Sequence, residues 1–466
     1  MRGCLEEVEG ILEGMNEIIW GPWMLVLFMG TGLFLMFRLH FWPLRHLGYA
    51  LKQVWHSLFE GSGQEGDISP FQSLMTALAA MMGTGNIVGV ATAMVLGGPG
   101  ALVWMVLSAF VGMASNFAES YLAVRYRSKN KSGQMCGGPM YVMRSAIKPE
   151  KVGIVMGAMF SFFTLIASFG MGNMTQSNSA AIALFDTFQI PPVLTGGVFF
   201  FLTLLVLLGG IGSIGKVCGI IVPIMSLSYL ACTGAVIAVN FENLGTGIAQ
   251  MLELAFCPRA ISGGLGGTLT VSMAQAMRWG ISRGVFSNEA GLGSAPIAAA
   301  AAKTDSPIRQ GYITMTGTFF DTIIVCSATG LAIASSGMLG AVDDKGKLLE
   351  GVALTNKVFE MALGTPGRLV ITVGITLFAF ATIIGWEYYG EKALEYFCPS
   401  GMGMPVMIYR LLYCVGTFLG AVASLKLVWD FSDIMNGCMA VPNLICLLLL
   451  HRQVSDGVRG FNSAQQ

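Results

Sequence analysis

The sequence predicts an all-α polytopic membrane protein, and three observations carry that prediction. Of the 466 residues, 54% are hydrophobic and 11% are charged, and the mean hydropathy is +0.68. A water-soluble protein of this length needs more charge to cover its surface. The chain also contains eleven apolar runs of spanning length, and glycine-rich polar stretches interrupt two of them.

Charge and cysteine content argue against two other classes of function. The formal net charge is zero, so no basic surface for nucleic acid is indicated. The ten cysteines are scattered, mostly within apolar runs, with no C-x-x-C pair and no histidine at ligand spacing. They are predicted to be buried free thiols, without a disulfide framework or a metal site.

The N-terminal segment is acidic, unlike the start of a secretory signal peptide. Residues 1–17 contain five glutamates and one arginine. The first apolar run, residues 18–39, is long enough to span a bilayer, and no small-residue cleavage pattern follows it. It is predicted to be a retained transmembrane helix.

The apolar runs, each about 20 residues or longer, give the order of the predicted helices. They lie at residues 18–39, 69–97, 100–122, 153–184, 192–212, 217–239, 268–302, 309–339, 367–394, 404–425 and 428–450. A shorter mixed stretch is predicted to lie along a membrane surface. The predicted regions are an N-terminal region (1–60), a first five-helix repeat (61–240), the surface segment (241–266), a second five-helix repeat (267–452) and a tail (453–466).

Lysine and arginine collect in alternate loops, and this asymmetry predicts the orientation of the helices. The loop after the third run alone contains seven of them, at 125–151. Loops on the opposite side carry acidic residues and fewer bases. An odd number of helices, with the N-terminus outside and the C-terminus in the cytoplasm, fits every loop.

The first interrupted run contains the stretch MMGTGNIVGV at residues 81–90. Gly83, Gly85 and Gly89 fall near the middle of a predicted helix, at bilayer depth. Lipid cannot satisfy backbone N–H and C=O groups, so a break there must face protein or a watery cavity. Close helix packing through glycine is the alternative interpretation of this stretch alone.

A second stretch, VFSNEAGLGSAPIAAAAA at residues 285–302, favours the break. It lies in the seventh run, and Asn288 follows Asn86 by 202 residues. The same offset aligns Glu119 with Asp321. Because the second stretch lies five helices after the first, an odd number, the copies point in opposite directions across the membrane. Paired interruptions in inverted halves are typical of secondary transporters with a binding site at the midplane.

A break of this kind offers hydrogen-bond donors for an anion and oxygen ligands for a cation. The N-terminus of a half-helix presents free N–H groups and the positive end of its dipole, which suit a carboxylate. Freed carbonyl oxygens suit an alkali cation, and the side chains of Thr84 and Asn86 can join either set of ligands. One break can therefore hold the carboxylate of an amino acid beside a coupling ion.

Four segments of the chain resemble the alanine or glycine:cation symporter family, the sodium:alanine symporters of prokaryotes. They are GTGNIVGVATAMVLGGPGALVWM, CGGPMYVM, GVFSNEAGLGSAPIAAAAAKTDSP and GWEYYGEKALEYF, and the similarity extends from about residue 65 to 450. The resemblance implies a leucine-transporter-like fold, with ten core helices in two inverted repeats of five after one extra helix. The first and sixth core helices would be the two interrupted ones.

The resemblance also implies site residues. The wider leucine-transporter-like group has a G-x-G-N motif, matched here by residues 83–86, which implies that Thr84, Gly85 and Asn86 hold the substrate carboxylate and one sodium ion. A second sodium ion would lie between the first and eighth core helices, near Ala79, Met82, Ala379 and Thr382. The sequence departs from the group at Ile383, where a second hydroxyl is expected.

The remaining polar residues of the membrane region have two interpretations each. Glu119 and Asp321 are costly in lipid unless paired, and serve either coupling and gating or the bracing of a broken helix. Glu289 lies inside the second break, where it would accept from the substrate ammonium or brace the backbone. Arg278 and Arg283 lie toward the predicted outer end of this helix. They are either ion-pair partners in a gate or, more simply, interfacial residues whose side chains reach the bilayer surface.

Two aromatic residues and a polar helix face complete the predicted site. Phe286 and Trp386 are expected to flank the pocket together with Asn288, leaving room for only a small side chain. Gln176 belongs to a polar stretch, MGNMTQSNSA, predicted to line the pathway, with helix–helix hydrogen bonding as the alternative.

The leading hypothesis is a sodium-driven symporter for small neutral amino acids such as alanine and glycine, in the inner membrane of a prokaryote. No resident cofactor is expected, since sodium is transported. A channel would need a repeated pore motif, and an enzyme would need a nucleophile–base pair or a metal cluster. The runner-up is a proton-coupled or other small-solute:cation symporter of the same fold.

Overall fold

The computed structural model of the protein describes residues 2–59, 65–257, 260–264, 267–343, 345–398 and 403–465, and helices dominate it. In chain order the helices are α1 (Arg2–Ile19), α2 (Pro22–Arg38), α3 (Trp42–Arg45), α4 (Leu47–Ser57), α5 (Pro70–Met81), α6 (Val88–Leu96), α7 (Ala101–Arg125), α8 (Pro139–Ala146), α9 (Glu150–Ala167), α10 (Thr175–Phe188), α11 (Pro192–Leu207), α12 (Gly210–Val239), α13 (Phe241–Phe256), α14 (Met273–Asn288), α15 (Ala295–Ala300), α16 (Pro307–Thr318), α17 (Ser327–Ser336), α18 (Gly351–Leu363), α19 (Thr365–Phe397), α20 (Gly403–Val422) and α21 (Leu425–Gln465). Two antiparallel hairpins join β1 (Ser128–Lys129) to β2 (Met135–Cys136), and β3 (Ala260–Gly264) to β4 (Gly267–Val271).

Eight helical segments of the described chain are long and apolar enough to cross a membrane. The predicted spans at 69–97 and 268–302 are each divided into two shorter helices, and α11 has 16 residues. The all-α membrane fold is therefore confirmed, while the count of eleven spans remains a prediction. The predicted boundary between residues 60 and 61 lies outside the described residues.

The first interrupted span is broken where its glycines predict. A capping box between Ser69 and Gln72 starts α5, and Pro70 occupies the first helical turn. The helix ends at Met81, and a single 3-10 turn over Thr84–Asn86 precedes α6. Residues 82–87 therefore leave the α-helix in the middle of a buried segment.

The second interrupted span is broken in the corresponding place. Helix α14 ends at Asn288, and Glu289 adopts a left-handed conformation with φ 56°. Gly291 and Gly293 follow with φ of 89° and 85°, a region that glycine enters without steric cost. Pro296 then stands in the first turn of α15, where its missing N–H has no helical acceptor to lose.

A hydrogen bond across the centre of the molecule relates the two halves. The Asn116 amide donates to Thr318 Oγ1 at 2.9 Å, and these residues are 202 positions apart, the offset that aligns the two interrupted spans. In a two-fold arrangement, a residue that contacts its own counterpart lies near the axis. Helices α7 and α16, which carry these residues, therefore cross at the pseudo-symmetry axis and pack along each other.

Two continuous helical segments contain a π-helical insertion. Residues 168–174 separate α9 from α10, and residues 319–326 separate α16 from α17. An insertion of this kind turns side chains out of the regular helical pattern and is frequent at functional sites. Asp321 lies in the second insertion, which orients it toward the first broken helix.

The surface segment predicted at 241–266 is not uniform. Its first part is the amphipathic helix α13, with Met251 and Ala255 buried and Leu252 exposed, and it packs against α17. Its second part enters the β3–β4 hairpin.

Candidate functional site

A glutamine from the third core helix accepts hydrogen bonds from the polar groups of the first break. The backbone N–H and the hydroxyl of Thr84 both donate to Gln176 Oε1 at 3.0 Å. The Gln176 amide nitrogen in turn donates to Met171 O in the first π-helical insertion. Both side chains are buried, so this contact replaces the hydrogen bonds that the unwound backbone would make with water.

Asn86 connects the first break to the opposite repeat. Its amide nitrogen donates to Asp321 Oδ1 at 2.7 Å, while its amide oxygen has no hydrogen-bond partner. Asp321 also accepts from Ser287 at 2.9 Å and from Thr322 at 2.7 Å. Asp321 is therefore a hub that holds the first broken helix against the second.

The two breaks lie side by side. A Cβ atom added to Gly85 would come within 3.3 Å of the Phe286 ring and 3.5 Å of Ser287 Cα. The C-terminal end of α14 therefore faces the unwound turn directly. Gly85 allows this close approach through its missing side chain and not through a special backbone conformation, since its φ lies outside the left-handed region that glycine favours.

Glu289 braces the second break. Its Oε1 accepts from Trp386 Nε1 and its Oε2 from Ser294 Oγ, both at 2.7 Å. Asn288 donates to Thr322 at 3.0 Å and accepts from the Ala290 N–H. Of the two interpretations of Glu289, these contacts match the bracing of the unwound backbone. Trp386 therefore reaches the site through Glu289.

Glu119 mirrors Asp321 at the other break. Asn443 of α21 donates to Glu119 Oε1 at 2.5 Å and to Gly291 O at 3.0 Å. Each of the two offset-related acids thus lies beside the broken helix of the opposite repeat. Sequence reasoning predicts the pair of acids but misses Asn443, an amide in the last apolar run.

Ala79 and Thr382 lie together, as the resemblance implies for a second cation. The Gly83 N–H donates to Met81 O, so the Ala79 carbonyl loses its usual helical donor and accepts from Thr382 Oγ1 at 2.9 Å. A Cβ at Gly83 would lie 2.5 Å from that hydroxyl. Met82 stands at the helix end with ψ 79°, and buried Ala379 is three residues before Thr382.

The interfacial interpretation of Arg283 is wrong. Its side chain is 6% exposed and makes a two-pronged ion pair with Asp433 of α21, at 3.1 and 2.5 Å. The guanidinium also lies 4.8 Å from the centroid of Trp429, which stacks on Phe286. Arg278 is partly exposed, 3.8 Å from Glu17. The sequence does contain a signal for Asp433, because an acidic residue inside an apolar run, here the last one, needs a partner in the membrane.

The polar stretch around Gln176 divides into two groups. Only Gln176 reaches the first break. Asn173 donates to Tyr413 O, and Asn178 donates to Gly420 O and Ala423 O, all at 2.9 Å. These two asparagines make the helix–helix hydrogen bonds of the alternative interpretation, Asn173 to the middle of α20 and Asn178 to its end.

The far ends of the two broken helices are tied together. The N–H groups of Asp67 and Ile68 donate to Ala301 O, and the Lys303 N–H returns to Ile68 O at 2.8 Å. The Arg127 guanidinium donates to four carbonyl groups here, those of Glu65, Ala300, Ala302 and Thr304. Segments 65–68 and 301–304 therefore form one joined unit, the inner latch, on the predicted cytoplasmic side.

Comparison with known proteins agrees with this geometry. The model of the sodium:alanine symporter family matches residues 5–466. The sodium/alanine symporter AgcS of Methanococcus maripaludis is 47% identical over 459 residues, which are 98% of both chains. The probable sodium/glutamine symporter GlnT of Bacillus subtilis is 34% identical, over 99% of this chain and 91% of its own.

Solved structures share the fold at low sequence identity. MhsT in complex with L-phenylalanine superposes with a TM-score of 0.60 and 14% identity, over 83% of this chain and 90% of that chain. This likeness shows a leucine-transporter-like fold. Together with the family match over nearly the whole length, it shows that the chain belongs to the sodium:alanine symporter family and is a cation-coupled amino-acid transporter.

Proposed function

We propose that the protein takes up small neutral amino acids, alanine and glycine foremost, with sodium as the coupling ion. The observation that carries the proposal is the direct contact between the two broken helices, at Gly85 and Ser287. Around that contact, backbone dipoles of opposite sign meet in a buried polar centre. A zwitterion is the substrate whose charges match both.

The substrate carboxylate is assigned to the first break. Residues Thr84, Gly85 and Asn86 present their backbone at the start of α6, the positive end of that half-helix. The ammonium group is assigned to the end of α14, where the helix dipole is negative. One sodium ion would share the first break with the carboxylate, using the free amide oxygen of Asn86.

A second sodium site is assigned to Ala79, Met82, Ala379 and Thr382. The contact between the Ala79 carbonyl and the Thr382 hydroxyl places two hard oxygen ligands together. This site joins α5 to α19, so an ion bound there would hold a broken helix against the surrounding scaffold. Occupancy would then bias the conformations of the transporter.

The selectivity proposed here follows from size. Phe286 is stacked on Trp429 with ring centroids 4.9 Å apart, and Arg283 lies against both rings. This fixed aromatic wall stands beside Gly85. Each additional methylene changes affinity by only about 1–3 kcal/mol, so exclusion of larger amino acids requires the wall itself to obstruct them.

Alternating access is proposed to use two closures around the fixed site. The Arg283–Asp433 ion pair closes the predicted outer side, and the inner latch closes the predicted cytoplasmic side. The orientation, with the N-terminus outside, follows from the distribution of lysine and arginine. Rocking of one helix bundle would open one closure at a time.

The test is uptake of labelled alanine by the purified full-length protein in proteoliposomes. We expect accumulation driven by an inward sodium gradient and competed by glycine, serine and unlabelled alanine. Accumulation driven only by a proton gradient would support the proton-coupled alternative. Uptake unaffected by any cation gradient would contradict the proposal.

A further inference from the structure

A second cluster of charged side chains lies on α19, beyond the substrate site. Glu387 and Glu391 are one helical turn apart and share a face of the helix. Arg410 of α20 approaches Glu391 Oε2 with Nη2 at 2.8 Å and Nε at 3.0 Å. The same Nε is 3.5 Å from Glu387 Oε1. Two carboxyl groups therefore share one arginine.

Glu387 is the member of the cluster whose negative charge has no hydrogen-bond donor to stabilise it. Its side chain is completely buried, and neither carboxyl oxygen has a hydrogen-bond partner. An ionised carboxylate in such a place is costly, because neither water nor a donor replaces its hydration. Arg410 directs its close contacts to Glu391, which leaves the second acid without a cation of its own.

The surroundings of Glu387 supply no further positive charge. Arg410 is the one basic group within ion-pair distance of Glu387 in the described part of the chain. The sequence of α5 contains no charged residue, and neither does the stretch 152–185 of α9 and α10. Among the described residues, α20 also brings the titratable side chains of Tyr409, Tyr413 and Cys414 near Glu387.

A proton suits this position better than a metal ion. A proton needs only the two carboxyl groups, whereas an alkali ion needs a shell of several oxygen atoms. The Tyr409 and Tyr413 hydroxyls contact the backbone carbonyls of Glu387 and Ile383 at 3.4 and 2.8 Å. Ser168 is 3.0 Å from the Tyr409 hydroxyl. The nearby hydroxyls thus have other partners.

We propose that Glu387 and Glu391 form a proton-binding site that holds one exchangeable proton, balanced by Arg410. Binding transfers a proton from water to a carboxylate, which neutralises the remaining negative charge of the cluster. Glu391 and Arg410 are 13% and 22% exposed, so they provide the route by which the proton exchanges. Because Glu387 adjoins Trp386, which holds Glu289, the charge of the cluster bears on the substrate site.

Infrared spectroscopy of the full-length protein in lipid tests the proton directly. We expect a carboxylic acid C=O band that disappears as the pH is raised, and that is lost in Glu387→Gln. The control is Glu360→Gln, which removes a half-exposed carboxylate from α18 and should leave the band intact. A band that does not titrate, or that persists unchanged in Glu387→Gln and Glu391→Gln, would overturn the proposal.

Transport measurements give the second arm, which rests on the proposed function. The pH dependence of alanine uptake in wild-type vesicles should lose one titration step in Glu387→Gln and keep it in Glu360→Gln. If sodium occupied the cluster instead, Glu387→Gln would bind one sodium ion fewer and no titrating acid band would be seen, which would exclude the proton. Failure of uptake in the wild type would contradict the proposed function alone, because the infrared band is measured without transport.

Discussion

At the residue scale, Gly85 is where the backbone of the first break packs against the end of α14. Gly85→Ala would add a Cβ 3.3 Å from the Phe286 ring, in the space assigned to the substrate. We expect alanine affinity to fall by about 10-fold or more, equivalent to about 1.4 kcal/mol. Equilibrium binding of labelled alanine in sodium measures this change.

Gly89→Ala is the matched control for that substitution. It lies four residues later in the same segment, and an added Cβ would meet nothing within 4 Å. Gly89 lies in the first turn of α6 and has no positive φ, so alanine fits its backbone, and Gly89→Ala should bind normally and unfold no more easily. Equal losses of affinity in both variants would contradict the assigned position of the substrate.

Asn86 provides a second prediction at this scale. Asn86→Ala removes the donor to Asp321 and the free amide oxygen assigned to sodium. Hydrogen bonds to charged groups contribute about 1.5–3 kcal/mol, and the ion loses a ligand as well. We therefore expect sodium-dependent alanine binding to be abolished while the protein stays folded.

Asn240→Ala serves as the comparison, because the Asn240 side chain donates to Val236 O within its own helical turn, far along the chain from either break. Binding and thermal unfolding in detergent are measured for both variants. Normal alanine binding by Asn86→Ala would show that the first break is not the substrate site.

At the element scale, the Arg283–Asp433 pair joins α14 to α21. Breaking a buried ion pair on one side leaves an uncompensated charge and costs about 3–5 kcal/mol. We expect Arg283→Ala to lower the unfolding temperature strongly. The double variant Arg283→Met with Asp433→Leu should recover much of the stability, since apolar groups of similar volume can replace such a pair.

Transport separates the structural role of this pair from its role as a closure. If the pair closes the outer side, the stable double variant should still take up alanine poorly. Full uptake by that variant would show that the pair serves folding only.

The inner latch is the other element-scale feature. Arg127 donates to carbonyls at the end of α15 and at the start of the α5 segment, and a lysine cannot reproduce that fork. We expect Arg127→Lys to speed amide exchange at 65–68 and 301–304 and to slow uptake. Arg125→Lys is the control, because Arg125 lies two residues earlier, at the end of α7, and its guanidinium donates to the Tyr121 hydroxyl instead of to the latch. Equal exchange in both variants would argue against a latch.

At the scale of the whole molecule, sequence reasoning is most successful where lipid makes an arrangement obligatory. Spanning helices and breaks that must face protein follow from the cost of bare backbone in a bilayer, and both broken helices occur where glycine and asparagine predict them. The offset that aligns Glu119 with Asp321 likewise predicts an acidic residue beside each broken helix. Apolar composition alone does not reveal lateral neighbours. Asn443, Asp433 and the four acceptors of Arg127 come from segments far apart in the chain, so only the folded structure shows them.

The arrangement of the repeats makes a prediction for the whole transporter. Substrate and sodium are assigned to the same breaks, and each break is held by an acid of the opposite repeat, by Asp321 directly and by Glu119 through Asn443. The two ligands should therefore stabilise the folded protein cooperatively. At 100 times its dissociation constant, a ligand adds about 2.7 kcal/mol to the free energy of unfolding. Saturating alanine should then raise the unfolding temperature in sodium and leave it unchanged in potassium.

Thr382→Ala refines this experiment, because it removes a proposed ligand of the second ion and leaves the first break intact. Its stabilisation by alanine should require a higher sodium concentration than in the wild type, by reciprocity of the coupling between sites. Thr376→Ala removes a hydroxyl of the same helix that donates to Thr372 O, and this variant should follow the wild type. If alanine stabilised the protein equally in sodium and in potassium, alanine binding would not depend on sodium. The shared site at the two breaks could then not be the basis of coupling.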